Sequence, residues 1–281
     1  MTGVLNMKTA LELPHGLHVG VPSAVYHARV PGMVSKGVLD LVHRTPAHLK
    51  AWLDGQEEEP TPALLFGAAQ HCALLEPEIF ETTYVVEPEF GDCRFKENKA
   101  RRDEWRKKTE GYTKISREDN DAIKAICQAV RNHPLAGRML VDGEPELTVR
   151  WRDAETGLEC KSRADYYVRK HRMAVDIKTS FDASPAEFRR SVANYRYHVQ
   201  DALYRDGFAA IGEAIEHFVF VVVEKRPPYA VALYSLDRDA VAKGHSQVRT
   251  DIARLAECVK ADTWPGYPTS IQELNLPPWA A

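Results

Sequence analysis

The sequence predicts an α/β protein whose strands are concentrated in residues 143–236. Residues 158–178, LECKSRADYYVRKHRMAVDIK, contain two segments rich in β-branched and aromatic residues around the polar Arg169–His171, which is typical of a β-hairpin. Residues 143–153 alternate as a strand does, and two further strand-like segments flank Arg226-Pro227-Pro228. Apolar residues at helical spacing precede and follow these strands, so helices are expected beside the sheet.

The helical segments lie before and after the hairpin. They are SKGVLDLVHRTPAHLKAWL, interrupted at Pro46; the apolar ALLFGAAQHCALLEP, ended by Pro77; residues 116–132, opened by the capping pair Ser116 and Asp119; residues 195–211; and the amphipathic 238–260.

Composition describes an ordinary globular protein. The chain has 281 residues, of which 44% are hydrophobic and 27% charged, enough for a sizeable core. No apolar run approaches the roughly 20 residues of a membrane span, and the first residues lack signal-peptide features, so we expect a cytoplasmic protein without membrane contact. The net charge of −3 argues against bulk attraction to nucleic acid but leaves room for a local basic groove. Five scattered cysteines without a C-x-x-C pair indicate reduced thiols.

Asp165, Asp176 and Lys178 form the first candidate site. Neighbouring strands lie about 4.8 Å apart, so carboxylates on the two strands of the hairpin can share a divalent cation. Lys178 follows Asp176 by two residues, which places both side chains on one face. This combination suits phosphodiester hydrolysis. An Asp-x-Lys triplet is common by chance on exposed strand edges, but the apolar residues around it favour a buried strand.

Other positions leave alternatives open. His71 lies inside an apolar helix, either as a hydrogen-bonded core histidine or as a metal ligand. Glu146 could supply a further carboxylate, and Glu159 competes for that role. Ser35 with Lys36 opens a helix whose N-terminus could bind a terminal phosphate, unless Ser35 is a plain N-cap.

A basic segment and one helix face complete the candidates. FKENKARRDEWRKK carries seven Lys or Arg against three acids, so Arg101, Arg102 and Arg106 are expected to contact DNA phosphates; a solvated helix is the alternative. Gln200 and Tyr204 are four residues apart and share a helix face.

In chain order, these residues resemble a known pattern. Gly67 with His71, Glu146, Arg163-Ala164-Asp165, Asp176-Ile177-Lys178, and Gln200 with Tyr204 are similar to the motifs of RecB-like and lambda-exonuclease-like PD-(D/E)xK nucleases. SKGVLDLVHRTPAHL, RYHVQDALYRDGF and LPPWA more narrowly resemble the nuclease domain of RecE-type recombination exonucleases. The resemblance runs from Ser35 to Ala281.

The resemblance implies a central mixed β-sheet flanked by helices, in a single nuclease domain over 1–281. Within it, 1–60 would form a lead-in with helices, 61–142 the helical part with His71, 143–236 the catalytic sheet core, and 237–281 a C-terminal helix with a proline-rich tail. The implied activity is Mg²⁺- or Mn²⁺-dependent 5′ to 3′ digestion of linear duplex DNA, leaving 3′ single-stranded overhangs for annealing-based recombination.

The resemblance also implies residue roles. The metal ligands would be His71, Asp165, Asp176 and the carbonyl of Ile177, with Glu146 holding a second metal or its water. Lys178 would activate the nucleophilic water, and Gln200 with Tyr204 would orient the active-site strand and the DNA. The candidate DNA contacts are Ser35, Lys36, Arg101, Arg102, Arg106, Arg163 and Arg196, although Gly37 stands where the family often has a second serine.

Partners follow from the same resemblance. We expect duplex DNA ends, a RecT-like single-strand annealing protein, and a homo-oligomeric ring of three or four subunits with the tail as an interface element. An iron–sulfur cluster is not expected, because only Cys258 follows the helix with Gln200 and Tyr204. Alternatives are a RecB-like nuclease acting on single-stranded DNA and an inactive DNA-binding module of the same fold.

Overall fold

The computed structural model of the protein describes residues 12–55 and 61–276. Its strands, in chain order, are β1 (Gly16–His18), β2 (Tyr84–Val86), β3 (Thr113–Ile115), β4 (Glu144–Arg152), β5 (Glu159–Val168), β6 (Met173–Ser180), β7 (His217–Glu224) and β8 (Val231–Tyr234). The main sheet has the order β1-β4-β5-β6-β7-β8, while β2 and β3 form a separate parallel pair. Within the main sheet, β6 and β7 are parallel and the other neighbours antiparallel. The predicted mixed sheet is therefore confirmed.

The hairpin at the centre of the sheet forms as the sequence predicts. β5 and β6 pair antiparallel, and a 3₁₀ turn at Arg169–His171 joins them. β7 and β8 pair around the predicted Arg226-Pro227-Pro228 turn. These strands carry runs of valine, isoleucine and aromatic residues, which favour buried sheet positions.

The helices surround this sheet. They are α1 (Ser23–Tyr26), α2 (Lys36–Arg44), α3 (Pro46–Leu53), α4 (Pro62–Leu75), α5 (Pro77–Thr83), α6 (Lys96–Lys108), α7 (Arg117–Asn132), α8 (Ala136–Met139), α9 (Pro185–Asn194), α10 (Tyr197–Ala210) and α11 (Arg238–Ala261). Ser116 accepts a hydrogen bond from the Asp119 amide, as the predicted capping pair requires. Pro77 opens α5 because proline is tolerated at the first helical position, so it begins a helix as well as following one.

One boundary differs from the sequence-based expectation. The helix expected over 195–211 begins only at Tyr197, because Arg196 adopts a left-handed conformation with φ 55°. A left-handed residue cannot continue a right-handed helix.

The sheet separates two hydrophobic cores. One core joins the sheet to α2, α10 and α11 through residues such as Leu39, Leu203 and Leu255. The other joins it to α4 and α7 through residues such as Leu74 and Ile126. Helices on both faces confirm the flanked sheet and bring α4 and α10 toward the same strands from opposite sides.

The alternation of side chains along β5 changes at Asp165. Ala164 and Tyr167 pack in the same core although they are three residues apart, whereas Tyr166 and Val168 pack in the other core. Strict alternation would place 164 and 166 on one face, so the strand switches faces between them. The sheet is irregular where the candidate carboxylates lie.

The C-terminal segment after α11 contains no helix or strand through residue 276. Trp264 packs partly against the first core, and its Nε1 donates to Asp262. The expected interface residues Pro277, Pro278 and Trp279 lie outside the described residues. No helix in the described ranges is both long and apolar enough to cross a membrane.

Candidate active site

Three carboxylates lie in a row across the middle of the sheet. Glu146 on β4 faces Asp165 on β5, because the flanking residues pair in register on each side of them. Asp176 on β6 is the next position opposite Asp165, just beyond the last β5–β6 pair. The ladder is interrupted at these positions. Like charges directly opposite one another destabilise a sheet, so this row is costly unless a cation neutralises it.

The backbone at Glu146 is also unusual. Its φ of 49° lies in the left-handed region, which a non-glycine residue rarely adopts inside a strand. Such strain costs roughly 1–3 kcal/mol and is concentrated at functional sites. The side chain lies 3.6 Å from Arg163 Nη1 and 3.8 Å from His71 Nδ1. The distortion thus turns the Glu146 carboxylate toward the histidine.

His71, projecting from α4, contacts two oxygens from the hairpin. Its Nε2 lies 3.0 Å from the carbonyl oxygen of Ile177 and 3.2 Å from Asp165 Oδ2. Ligand atoms of His71, Glu146 and Asp165 all lie within 4.8 Å of one another. Adjacent ligands of an octahedral Mg²⁺ or Mn²⁺ ion are separated by about 3 Å, since each bond is about 2.1 Å long. The donor set of one imidazole and several hard oxygens therefore fits a small divalent cation.

Asp165 also links the two strands of the hairpin. Its Oδ2 accepts a hydrogen bond of 2.6 Å from the amide of Ile177. At the point where β5 and β6 separate, the Asp165 carboxylate accepts the hydrogen bond that a backbone carbonyl of the neighbouring strand would otherwise accept. Ile177 thus uses its N–H toward Asp165 and its carbonyl toward His71, which fixes the geometry of both.

Asp176 and Lys178 form the second half of the site, on the face toward α10. Lys178 Nζ lies 2.6 Å from Asp176 Oδ2 and 3.1 Å from Gln200 Oε1. Gln200 donates to the other oxygen of Asp176. The Lys178 ammonium also lies 4.5 Å from the centre of the Tyr197 ring. The strand period thus places Asp176 and Lys178 together, as predicted.

The surroundings of the two aspartates shift their pKa values in opposite directions. Burial and the charge of Asp165 raise the pKa of Asp176 to about 6. Burial opposes ionisation of Asp165, but His71 and Lys178 outweigh it and lower the pKa of that carboxyl. Burial likewise opposes the charged forms of His71 and Lys178, yet the nearby carboxylates raise the pKa of both. Opposite shifts in adjacent carboxyls are a feature of catalytic sites.

The structure distinguishes between the two competing glutamates. Glu159 lies six residues from Asp165 along β5 and forms ion pairs with His15, Arg150 and Arg152. These contacts, against the opposing effect of burial, lower the pKa of Glu159 to about 2. Glu146, in contrast, groups with His71 and Asp165.

Several expected DNA contacts occupy enclosed positions. Arg163 is buried, donates to Thr148 Oγ1 at 2.9 Å and to the Val21 carbonyl at 2.8 Å, and lies beside Glu146. Arg196 is also buried and pairs with Asp40 and Asp251. These contacts argue against direct phosphate binding by either arginine.

The remaining expected contacts are nearer to solvent. Ser35 accepts a weak hydrogen bond from the Val38 amide as the N-cap of α2, and Lys36 contacts Asp40 and the Tyr195 carbonyl. Arg101, Arg102 and Arg106 lie on α6, which contributes no buried residue.

Two adjoining cavities lie on this side of the molecule, and Glu146 lines the larger of them. The larger, about 1180 Å³, is lined by residues from α4, β4, β6 and the segment around α1, including His71, Glu146, Ile177 and Lys178. The smaller, about 310 Å³, is lined by polar groups of Tyr26, Ser35, Lys36, Lys161 and Tyr204 among apolar residues. His27 lines both cavities, so they adjoin.

Sequence reasoning missed the aromatic residues that position the cations. Tyr26 lies beneath Arg163, with 4.1 Å between the guanidinium carbon and the ring centre, and Tyr197 lies beneath Lys178. Lys161, whose pKa burial lowers to about 8, donates to the carbonyls of Tyr26 and Ala28. Tyr197 lies within the RYHVQDALYRDGF segment, but no local pattern in the sequence connects Tyr26 to a site more than a hundred residues away.

Residues 35–276 match a family of PDDEXK-like domains of unknown function, DUF3799. The chain belongs to this family. Its Asp176-Ile177-Lys178 and the preceding Asp165 lie on the hairpin as the resemblance to PD-(D/E)xK nuclease domains implies. The expected PD-(D/E)xK core is therefore confirmed.

Solved structures resemble this chain to different degrees. A candidate exonuclease from Eubacterium rectale superposes with a TM-score of 0.62 at 13% identity, covering 92% of this chain and 97% of that one. A phage-related exonuclease from Haemophilus somnus is more distant, with a TM-score of 0.31 and 14% identity over 59% of this chain and 84% of that one. No curated protein matches the sequence significantly. At such identities the first likeness establishes a common architecture.

Proposed function

We propose that the protein is a Mg²⁺- or Mn²⁺-dependent exonuclease that digests linear duplex DNA from its 5′ ends. The observation that carries this proposal is the convergence of His71, Glu146 and Asp165 beside Asp176 and Lys178, at a cleft lined by His71, Glu146 and Lys178. Hard ligands next to a buried cation are the groups that phosphodiester hydrolysis requires.

The protein side chains have distinct roles in this proposal. His71, Asp165, Asp176 and the Ile177 carbonyl would hold the cation, and Glu146 would hold a second cation or its water. A divalent cation bound there would polarise the scissile phosphate and make the attacking water more acidic. Because hydrogen bonds hold Asp165, Asp176 and the Ile177 backbone in place, little rearrangement is needed during the reaction.

Lys178 acts as a charged group. Its raised pKa keeps it in the ammonium form, which donates hydrogen bonds and cannot accept a proton. It would therefore orient the water and stabilise negative charge developing on the phosphate. Gln200, which contacts both Asp176 and Lys178, would hold this pair in position.

The small cavity beside the site would hold the 5′-phosphate. Lys36, Lys161 and the Ser35 hydroxyl line it, and two of these are cations capable of charge-assisted hydrogen bonds. Tyr204 lines the same cavity. A 5′-phosphate there would place the terminal nucleotide toward the carboxylates, which favours digestion from that end.

Digestion of a duplex labelled separately at each end tests the polarity. We expect the 5′ label to be released first in Mg²⁺ or Mn²⁺, no digestion in EDTA, and an intact circular duplex. Release from the 3′ end would contradict the polarity, and digestion restricted to single-stranded DNA would favour the RecB-like alternative.

Long resection also favours an oligomer. With a net charge of −3 the chain has no general electrostatic hold on DNA, so a closed ring of three or four subunits would keep it on one strand. We include a RecT-like annealing protein as the partner that receives the 3′ overhang, in the cytoplasm. Light scattering should give three or four times 31.7 kDa, and a heparin trap added after loading should not stop digestion. A monomer stopped at once by the trap would contradict the ring.

A further inference from the structure

Phe181 is an exposed aromatic residue beside Lys225, which lines the cleft of the candidate active site. It directly follows β6, three residues after Lys178, and 71% of its surface is accessible to solvent. At about 3.3 Å per strand residue, it lies roughly 10 Å along the chain from Lys178. Single exposed apolar residues are common, so the role of Phe181 depends on its neighbours.

Two cations lie beside the Phe181 ring. Lys225 Nζ and Arg226 Cζ are each 5.4 Å from its centre. Lys225 also lies 5.9 Å from the ring of Phe66, on the helix that carries His71. The Lys225 amide donates to the Ser180 carbonyl at 2.9 Å, so the backbones that carry the ring and the cation are joined.

Lys225 connects the Phe181 ring to the cleft. Lys225 lines the 1180 Å³ cavity together with His71 and Lys178. Tyr195 lines the same cavity, is 61% exposed, and stacks on Tyr197 with 5.6 Å between ring centres. Exposed aromatic faces and cations therefore extend from the cleft opening to Lys178.

We propose that Phe181, with Lys225 and Arg226, is a platform on which an unpaired base of the digested strand stacks near the scissile phosphate. Sites for single-stranded nucleic acid combine aromatic faces with cations along the backbone. A base inside a duplex is already stacked on both sides, so the platform selects a base that has left the duplex. This inference rests on the proposed nuclease function and adds the position where the strand is held.

Binding of single-stranded DNA in Ca²⁺, measured by fluorescence anisotropy, tests the platform without turnover. Phe181→Ala should weaken binding about 5- to 100-fold, the range expected for one lost base stack. Phe181→Trp should bind as the natural protein does. Tyr267→Ala is the matched control, because Tyr267 is 67% exposed and lines neither cavity of the site.

An abasic site moved along the oligonucleotide provides the sharper result. At one position, near the 5′ end, the missing base should weaken binding to the natural protein and have no further effect on Phe181→Ala. Equal abasic effects on both proteins at every position would overturn the platform, as would full affinity of Phe181→Ala. Because the scan also uses the natural protein, unfolding of a variant would not decide the outcome.

Failure of the nuclease function would be distinguishable. If binding shows the position-specific abasic effect but the protein never cleaves DNA in Mg²⁺ or Mn²⁺, the platform is supported and the nuclease function is overturned. If the protein cleaves DNA but neither Phe181→Ala nor any abasic position changes binding, the nuclease function is supported and the platform is overturned.

Discussion

Two buried clusters of charge lie in this protein and are built differently. In the catalytic cluster (His71, Glu146, Asp165, Asp176 and Lys178), three carboxylates face one another across adjacent strands. In the Arg196 network (Asp40, Arg196, Gln247 and Asp251), one guanidinium contacts two carboxylates, an amide oxygen and the Leu39 carbonyl. In the first cluster the carboxylates lie side by side with His71 and Lys178 next to them, whereas in the second one guanidinium lies between the two carboxylates. Under the proposed function, the difference is that between a cation-binding site and a contact that holds helices together.

Backbone conformation supports the same distinction. Glu146 and Arg196 both have positive φ angles, 49° and 55°. At Arg196 the conformation serves the connection between α9 and α10, where the chain must change direction. At Glu146 it occurs inside a strand, where no turn requires it. Strain without a structural reason indicates a functional one.

The largest expected effect is on catalysis. Asp165→Ala, Asp176→Ala and Lys178→Ala should each reduce turnover at least about a hundredfold, the usual cost of removing one preorganised electrostatic group. Urea unfolding should show the aspartate variants to be folded, since neither substitution removes a residue of the two hydrophobic cores. Nearly natural turnover of Lys178→Ala would show that this lysine has been assigned the wrong role.

Variants of the two competing glutamates, Glu146 and Glu159, test which of them belongs to the site. Glu146→Gln should lower both turnover and Mn²⁺ affinity, because Glu146 belongs to the ligand group with His71 and Asp165. Glu159→Gln is the matched control and should retain activity, because its carboxylate is paired with arginines away from the group. If Glu159→Gln proved the inactive variant, the choice between the two acids would have to be reversed.

Substitutions in the Arg196 network should lower the stability of the protein. Arg196→Ala leaves Asp251, which is 2% exposed, without its principal partner, and should lower the free energy of unfolding by about 3–5 kcal/mol. Arg196→Lys should recover only part of this, because an ammonium cannot bridge two carboxylates as a guanidinium does. Urea denaturation measures both. Weaker DNA binding with unchanged stability would instead support the phosphate contact expected from the sequence.

The smallest effect is expected on α6, outside both clusters. Replacing Arg101, Arg102 and Arg106 with alanine should weaken DNA binding and flatten its salt dependence by roughly one unit of slope per lost contact. Arg102 and Arg106 lie 3.0 and 3.5 Å from Asp103 and Glu87, so Arg101 should contribute most.

A second triple variant, which loses the same three positive charges elsewhere, shows whether α6 contacts DNA directly or only contributes charge. Arg169, Lys170 and Arg172 lie at the turn between β5 and β6, beyond the end of the sheet that carries the site. Their replacement by alanine should leave the salt slope unchanged. Equal slopes for both triple variants would show that α6 is a solvated helix.

Much of the fold could be predicted from sequence because its signals are local. The hairpin, the Ser116 cap and the strands around Pro227-Pro228 follow from composition and turn residues within a few positions. Asp176 and Lys178 could likewise be placed together, since a regular strand repeats every two residues.

Other parts of the site depend on contacts distant in sequence. The change of face at Asp165 and the positive φ of Glu146 break the regular pattern on which strand predictions depend. The burial of Arg163 against Tyr26, and of Arg196 against Asp251, requires knowledge of packing between distant segments. Sequence identifies charged residues, but only the fold shows which of them are already paired.

Direct measurement of metal binding provides the most immediate test of the central claim, that the catalytic cluster is a divalent-cation site. We expect calorimetry to show Mn²⁺ binding by the natural protein and its loss in Asp165→Asn. Affinity should weaken as the pH falls toward 6, because His71, whose pKa is raised, and Asp176, whose pKa is about 6, must release their protons to bind metal. Equal Mn²⁺ affinity of the natural protein and Asp165→Asn would contradict the account.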